Sequence, residues 1–278
     1  MSHEFAPDIK QFPKFDLLKL TPEKPISSIP VLVAPGFGTG AQTYKLLIEQ
    51  LYSNGFITIS PDYKYGHEPK KWLFLPDVDA AKQQALLDAI EAEGCLNEQG
   101  IRQVNVVAHS KGAYDIAMVA MKHPENFRNI IMVAPGGLRP KMDFLKSVKT
   151  MKEDDHKDKE DKVRLIKTAE SEVAKLVLEN NVYGKNYKKD KIRYNLEGLT
   201  SATKSMEKYL PELRKKGIKT VIIAQINDPM YPPSSFSPFV KGNVDEFIEL
   251  PGIHGEIKYR PNGGQFVSNL LKKLEKLS

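Results

Sequence analysis

The stretch VNVVAHSKGAYDIAMVA, residues 104–120, joins an apolar, β-branched run to an amphipathic helical pattern. Its centre, AHSKG, matches G-x-S-x-G except that Ala108 replaces the first glycine. Small residues at Ala108 and Gly112 suit a strand that reverses sharply into a helix, because larger side chains would collide across the turn. We therefore predict a buried strand, a turn that projects the Ser110 hydroxyl outward, and a helix whose N-terminus stabilises negative charge there.

A serine at this position has two interpretations. It could cap the helix that follows, since serine is a favoured N-cap residue. It could also be a nucleophile, because S-x-G between an apolar strand and an amphipathic helix is much rarer than S-x-G alone. This placement favours the nucleophile at Ser110.

Composition points to an ordinary globular protein. The 278 residues are 41% hydrophobic and 27% charged, and the net charge is +6. Residues 141–193 carry 15 Lys and Arg against 11 Asp and Glu, so most of the surplus is concentrated there. The charges in that stretch alternate in sign, which is more typical of a solvated helical face than of a phosphate-binding patch. We expect no nucleic-acid partner.

Compartment and membrane attachment are inferred from cysteine content and hydropathy. Cys95 is the single cysteine, so an internal disulfide is impossible. Acidic and proline residues interrupt the N-terminal region where a signal peptide needs an apolar core, and no run is long enough to span a membrane. We expect a cytoplasmic protein without stable membrane insertion, and the sequence leaves its oligomeric state open.

Apolar runs that alternate with helical patterns predict an α/β fold. A mostly parallel central sheet with helices on both faces is the architecture that this alternation favours. The predicted strands are residues 29–35, 56–62, 104–110, 129–135, 220–226 and 244–250. The predicted helices are residues 41–55, 77–94, 112–124 and 265–277. A further edge strand in FDLLKL, residues 15–20, is only weakly indicated.

A polar, lysine-rich segment interrupts this alternation. Residues 137–200 separate the fourth and fifth of the six strands, and they include the amphipathic pattern DKVRLIKTAESEVAKLVLENN. A structureless loop of this length is improbable in a compact domain. We predict an inserted helical cap at 137–200, and a core domain formed by residues 1–136 and 201–278.

Ligands of open parallel sheets bind beyond the carboxyl ends of the strands, so the residues there are the candidate site. APGFGTG, residues 34–40, follows the first of the six strands. Its glycine spacing fits neither phosphate-loop motif, although such a turn could bring backbone N–H groups close to an oxyanion. Taken alone, it is better explained by a tight strand-to-helix turn.

Two more strand ends carry an acid and a base. A serine nucleophile needs a histidine base, and that histidine needs a carboxylate to orient it. Asp228 follows the fifth strand and His254 follows the sixth, although each alone could be an inert loop residue. His109 adjoins Ser110, but we expect its side chain to leave on the opposite side of the turn and to have a structural role. Ser110, Asp228 and His254 occur in the order of a known catalytic triad.

These motifs together resemble the α/β-hydrolase family from residue 29 to the end of the chain. VLVAPGFGTG resembles the family's oxyanion segment, VAHSKGA its nucleophile elbow, and NDPMYP and GIHGE its acid and base loops. The insertion at 137–200 stands where the family commonly places a lid. The resemblance implies that Ser110 attacks an acyl carbon, that His254 transfers the proton and that Asp228 orients His254.

The resemblance also implies an oxyanion hole and a range of reactions. The backbone N–H groups of Phe37 and Lys111 would form the hole, and no metal or cofactor would be needed. A serine at position 110 argues against dehalogenases and epoxide hydrolases, which use an aspartate. We expect a carboxylesterase or lipase-like enzyme acting on a small-molecule acyl ester. Thioesterase, lactonase, C–C hydrolase, acyltransferase and perhydrolase activities remain alternatives, as does a non-catalytic binding protein.

Overall fold

The structure is a computed structural model that describes residues 7–63, 75–138, 205–228, 230–236 and 238–276. Nearly all of the predicted cap, residues 137–200, lies outside the described residues. The division of the chain into a core and a cap therefore stays a prediction.

The described residues form one mixed sheet, built mostly of parallel strands. The strands are β1 Asp8–Gln11, β2 Phe15–Leu20, β3 Ser27–Ala34, β4 Phe56–Tyr63, β5 Cys95–Leu96, β6 Arg102–His109, β7 Phe127–Val133, β8 Lys219–Gln225 and β9 Glu246–Leu250. Their order in the sheet is β1-β2-β4-β3-β6-β7-β8-β9, with the short β5 paired antiparallel to β6. Strands β4, β3, β6, β7, β8 and β9 run parallel, and β1 and β2 add an antiparallel edge.

Helices cover both faces of this sheet. They are α1 Lys45–Ser53, α2 Leu75–Glu93, α3 Lys111–Lys122, α4 Leu210–Lys215, α5 Pro238–Gly242 and α6 Gly263–Lys276. Neighbouring residues of β6 show why both faces are needed. Val106 packs into the apolar core beneath α2 and α3, whereas Val107 packs into the core beneath α1 and α6. A strand buried on both sides is continuously apolar, as the sequence of β6 predicts.

The predicted fold class is confirmed, and all six predicted strands are present within two residues of their expected ends. The weakly indicated edge strand is also present as β2. Strands β1 and β5 were not predicted, because all four residues of β1 are exposed and β5 has only two residues. Neither strand shows the apolar periodicity that reveals buried strands.

Among the helices that the structure describes, none combines the length and the apolar character that a membrane span requires.

Candidate active site

The turn between β6 and α3 holds Ser110 in an unusual backbone conformation. Its φ is 52° and its ψ is −122°, and few residues other than glycine adopt a positive φ. The Ser110 N–H donates to the Val133 carbonyl at 3.0 Å, and the Ser110 carbonyl accepts from the N–H of Gly136 at 2.9 Å. These bonds to residues at and beyond the end of β7 hold the strained turn in place.

The residues around this turn are small because larger side chains would collide with neighbouring atoms. A Cβ on Gly112 would lie 2.5 Å from the carbonyl oxygen of Ala34 and 2.6 Å from that of Pro35. A Cβ on Gly36 would lie 2.9 Å from Nδ1 of His109. Ala108, where the motif usually has glycine, is fully buried. The end of β3 and the turn after β6 are therefore packed as closely as glycine allows.

Asp228 lies just beyond β8 and is almost completely buried. Its Oδ1 accepts hydrogen bonds from the backbone N–H groups of Met230, at 2.7 Å, and Tyr231, at 2.9 Å. Its Oδ2 lies 2.8 Å from Nδ1 of His254. Because an ionised carboxylate only accepts hydrogen bonds, Nδ1 of His254 is the donor. The turn after β8 thus aims one carboxylate oxygen at the histidine.

His254 lies on the loop that follows β9, between two glycines with positive φ. Gly252 has φ 136° and Gly255 has φ 71°. The N–H of Gly255 donates to the side-chain carbonyl of Gln225, at the end of β8, at 2.7 Å. This bond anchors the loop to the neighbouring strand. With its hydrogen on Nδ1, the neutral His254 ring presents a basic lone pair on Nε2.

His109 lies closer to this site than the sequence predicted. Its ring centroid is 4.8 Å from that of His254, so its side chain does not leave on the far side of the turn. Its Nδ1 is 2.6 Å from the hydroxyl oxygen of Tyr44, which also accepts the Gly36 N–H at 2.9 Å. The alternation of side chains along β6 predicts the face of the sheet from which the His109 side chain projects. It does not predict that the loop after β9 places His254 beside that side chain.

The environment of His109 keeps its ring neutral. Burial lowers the pKa of His109 well below its usual range, and the charges of Lys258 and His254 act in the same direction. Its Nε2 is buried and has no hydrogen-bond partner in the part of the chain that the structure describes. A neutral, buried ring agrees with a structural role for His109. That role lies within the candidate site, because the ring is next to His254.

The side chain of Lys111 has a role that sequence reasoning missed. Its Nζ lies 2.8 Å from Oδ1 of Asp79 on α2, and 2.8 and 2.7 Å from the two carboxylate oxygens of Asp115 on α3. All three side chains are buried. Burial raises the pKa of Asp115, and the positive charges of Lys111 and Lys82 oppose this rise. The spacing of Lys111 and Asp115 could have suggested the pair, but Asp79 comes from another helix.

The predicted oxyanion-hole residues lie at the ends of adjacent strands. Phe37 follows β3, Lys111 is the first residue of α3 after β6, and these two strands pair directly. The helix N-terminus also places a positive electrostatic potential beside Ser110. Within the described residues, no group of three or more His, Cys, Asp or Glu side chains is placed to hold a metal ion.

Solved structures resemble this chain over nearly its whole length. A carboxylesterase of Nitrososphaera gargenis has a TM-score of 0.62 at 16% identity, covering 98% of this chain and 100% of the other. A proline iminopeptidase of Mycobacterium smegmatis has a TM-score of 0.64 at 13% identity, covering 98% and 99%. An esterase of Exiguobacterium antarcticum has a TM-score of 0.60 at 12% identity, covering 94% and 96%. At these identities the likeness concerns the fold.

A comparison with curated proteins gives no match for this chain. The sequence does match the family model described as the alpha/beta hydrolase fold, over residues 29–173, which is just over half of the chain. That match agrees with the parallel sheet, the helices on both its faces and the strained turn at Ser110. The chain is a member of the α/β-hydrolase family.

Proposed function

We propose that this protein is a serine hydrolase that cleaves carboxylic esters through an acyl-enzyme. The observation that carries the proposal is the hydrogen bond of 2.8 Å between Nδ1 of His254 and the buried carboxylate of Asp228. This pairing orients an imidazole and stabilises its protonated form, which is what a general base next to a serine needs. Ser110, on its strained turn, is the nucleophile of the proposed triad.

The first half of the proposed reaction forms the acyl-enzyme. The Ser110 oxygen attacks the ester carbonyl carbon while Nε2 of His254 takes the hydroxyl proton. The carbonyl oxygen becomes an oxyanion and accepts hydrogen bonds from the N–H groups of Phe37 and Lys111. When the tetrahedral intermediate collapses, the bond to the alcohol oxygen breaks and His254 returns its proton to that oxygen. The alcohol leaves, and the acyl group stays on Ser110.

The second half repeats these steps with water. The water oxygen attacks the acyl carbon while His254 removes a proton from the water. His254 then passes this proton to the Ser110 oxygen as the bond between that oxygen and the acyl carbon breaks and the carboxylic acid leaves. Throughout the proposed cycle the carboxylate of Asp228 faces His254. It accepts two backbone hydrogen bonds on one oxygen and the His254 hydrogen bond on the other. The alternating charge on His254 is therefore always opposite a fixed negative charge.

A Ser110→Ala variant tests the nucleophile. We expect p-nitrophenyl ester turnover and covalent labelling by a fluorophosphonate probe to disappear, while the thermal unfolding temperature stays within a few degrees of wild type. The matched control is Ser28→Ala, which changes an exposed serine. Equal turnover in Ser110→Ala would overturn the proposed triad. A wild-type protein that the probe does not label would favour the non-catalytic binding protein.

The class of acyl substrate is tested with a panel. A chain-length series of p-nitrophenyl esters, together with a lactone and an acyl thioester, compares kcat/KM across the alternatives that share this triad. We expect a simple ester to have the highest value. A preference of more than tenfold for the lactone or the thioester would reassign the substrate without changing the roles of the site residues.

A further inference from the structure

The backbone of Gly36 is held by buried side chains on both of its polar groups. Its N–H donates to the Tyr44 hydroxyl at 2.9 Å. Its carbonyl oxygen accepts from Nζ of Lys82 at 3.3 Å and from the Thr39 hydroxyl at 3.0 Å. Lys82 is 1% exposed, so an ammonium group is directed from α2 into the turn after β3. Burying a lysine is expensive, and such a lysine needs an explanation beyond packing.

The carbonyl that Lys82 contacts belongs to the same peptide unit as the N–H of Phe37. A peptide unit is planar and conjugated, so its C=O and N–H point in opposite directions from one rigid plane. A cation at the oxygen fixes the orientation of that plane. It also draws electron density toward the oxygen, and hydrogen-bonded groups that polarise one another in this way become stronger donors. The contact of Lys82 with the Gly36 carbonyl therefore affects the Phe37 N–H, which lies at the opposite edge of the same peptide unit.

The second proposed oxyanion donor is connected to the same group of buried charges. Lys111 supplies that donor through its backbone, while its side chain pairs with Asp79 and Asp115. Asp79 and Lys82 are three residues apart on α2, and Lys111 and Asp115 are four apart on α3. The two lysines and two aspartates are all buried, their formal charges sum to zero, and the charge of Lys82 acts to lower the pKa of Asp115. We call these four residues the charge quartet.

We propose that Lys82 is a positioning residue for the oxyanion hole, orienting and polarising the Gly36–Phe37 peptide, and that the charge quartet links this peptide to the Lys111 donor. The proposal rests on the proposed function, because it requires an oxyanion to form beside Phe37. The energy gained is realised only when charge develops on the substrate oxygen, so kcat should respond and KM should not.

The test compares Lys82→Met with wild type on a p-nitrophenyl ester. We expect kcat to fall about tenfold, less than the 100-fold or more that follows loss of a whole oxyanion donor, with KM unchanged. Affinity for a trifluoromethyl ketone should fall by the same factor, since its adduct with Ser110 carries the oxyanion. Gln84→Met, at an exposed position of the same helix, should match wild type in both measurements.

Lys82→Met also leaves the charge quartet with an uncompensated negative charge, which could disturb the fold. The double variant Lys82→Met/Asp115→Asn removes one charge of each sign and leaves Lys111 paired with Asp79. We expect it to be as stable as wild type within the error of thermal unfolding and still about tenfold slower in kcat. Recovery of wild-type kcat in the double variant would show that Lys82 acts only by charge balance and would overturn the proposal.

Failure of this inference is distinguishable from failure of the proposed function. If wild type hydrolyses esters and Lys82→Met retains both its kcat and its affinity for the ketone, only the assignment of Lys82 is wrong. If wild type neither hydrolyses esters nor reacts with the fluorophosphonate, both proposals are overturned.

Discussion

Two histidine rings lie side by side at this site, and their hydrogen-bond partners give them different chemistry. His254 and His109 have centroids 4.8 Å apart, and each uses Nδ1 for a short hydrogen bond. The partner of His254 is the carboxylate of Asp228, whereas the partner of His109 is the hydroxyl of Tyr44. A carboxylate stabilises the protonated ring by its charge, while a buried phenol offers no such charge. Of the two histidines, His254 therefore has the partner that suits the proposed base.

The Tyr44 hydroxyl is further constrained by its second bond. It accepts the Gly36 N–H, and the same oxygen shares one hydrogen with Nδ1 of His109. Burial raises the pKa of Tyr44, so the phenol stays protonated and places no negative charge beside His109. A neutral His109 avoids a second positive charge next to the imidazolium that the proposed reaction would form on His254.

The largest difference between the two histidines should appear on removing their rings. We expect His254→Gln to lower kcat by about 10⁶-fold, the magnitude typical of losing the base of a serine triad. His109→Gln should lower it by less than about 100-fold, because an amide can still form a hydrogen bond with the Tyr44 hydroxyl. Steady-state hydrolysis of a p-nitrophenyl ester measures both. Losses of equal size would contradict the assignment of His254 as the only base.

Removing the charge of the His254 partner should have the next largest effect. We expect Asp228→Asn to lower kcat by about 10⁴-fold, because the amide can donate to Nδ1 and favours the wrong tautomer of His254. The measurement is kcat between pH 6 and 9, with Asn227→Asp as a neighbouring control that retains Asp228. Activity within tenfold of wild type would mean that the carboxylate does not orient the base.

The partner of His109 should matter less. Tyr44→Phe removes the acceptor of the Gly36 N–H and the hydrogen-bond partner of His109, and we expect kcat/KM to fall about tenfold, in line with the loss of one or two neutral hydrogen bonds. Tyr52→Phe, on α1, which begins one residue after Tyr44, provides the control. A loss as large as that of Asp228→Asn would place the phenol in the proton-transfer machinery rather than in support of the turn.

The smallest effect concerns the pH dependence of stability. The pKa of His109 is lowered in the folded protein from its ordinary value of 6.5, so below that pH the unfolded chain binds more protons. Stability should therefore be complete above pH 6.5 and decline as the pH falls toward the folded-state pKa. We expect the loss in the free energy of unfolding from pH 7.5 to 5.5 to be about 1 kcal/mol smaller in His109→Gln. Urea unfolding at both pH values measures it, and equal losses would show that His109 is not held neutral.

Much of the fold could be predicted because buried strands and amphipathic helices leave periodic apolar patterns. The six strands and four long helices follow these patterns, as does the turn at Ser110, since sharp reversal demands small neighbours. Asp228 and His254 are predictable as an acid and a base because each follows a strand, and the structure brings their side chains to 2.8 Å. The exposed strand β1 and the short helices α4 and α5 were not predicted, because they bury too few apolar residues to show a period.

The two buried ion and hydrogen-bond systems could not be predicted in the same way. His109 meets Tyr44 across 65 positions of the chain, and Lys111 meets Asp79 on another helix. Such pairs depend on how helices pack on the sheet and how loops return to it. A charged residue on an amphipathic helix is ordinarily exposed, so nothing in the pattern around Lys82 marks it as buried.

The sequence by itself determined the order of strands and helices, the strained turn at Ser110 and the strand ends at which an acid and a base could lie. These features depend on local sterics and on periodic burial, which neighbouring residues encode. Tertiary structure alone decided which histidine faces a carboxylate and which faces a phenol, and it buried Lys82 against the Gly36 carbonyl. The reason is physical: the charge state of a group is set by the burial and the partners that distant segments bring to it.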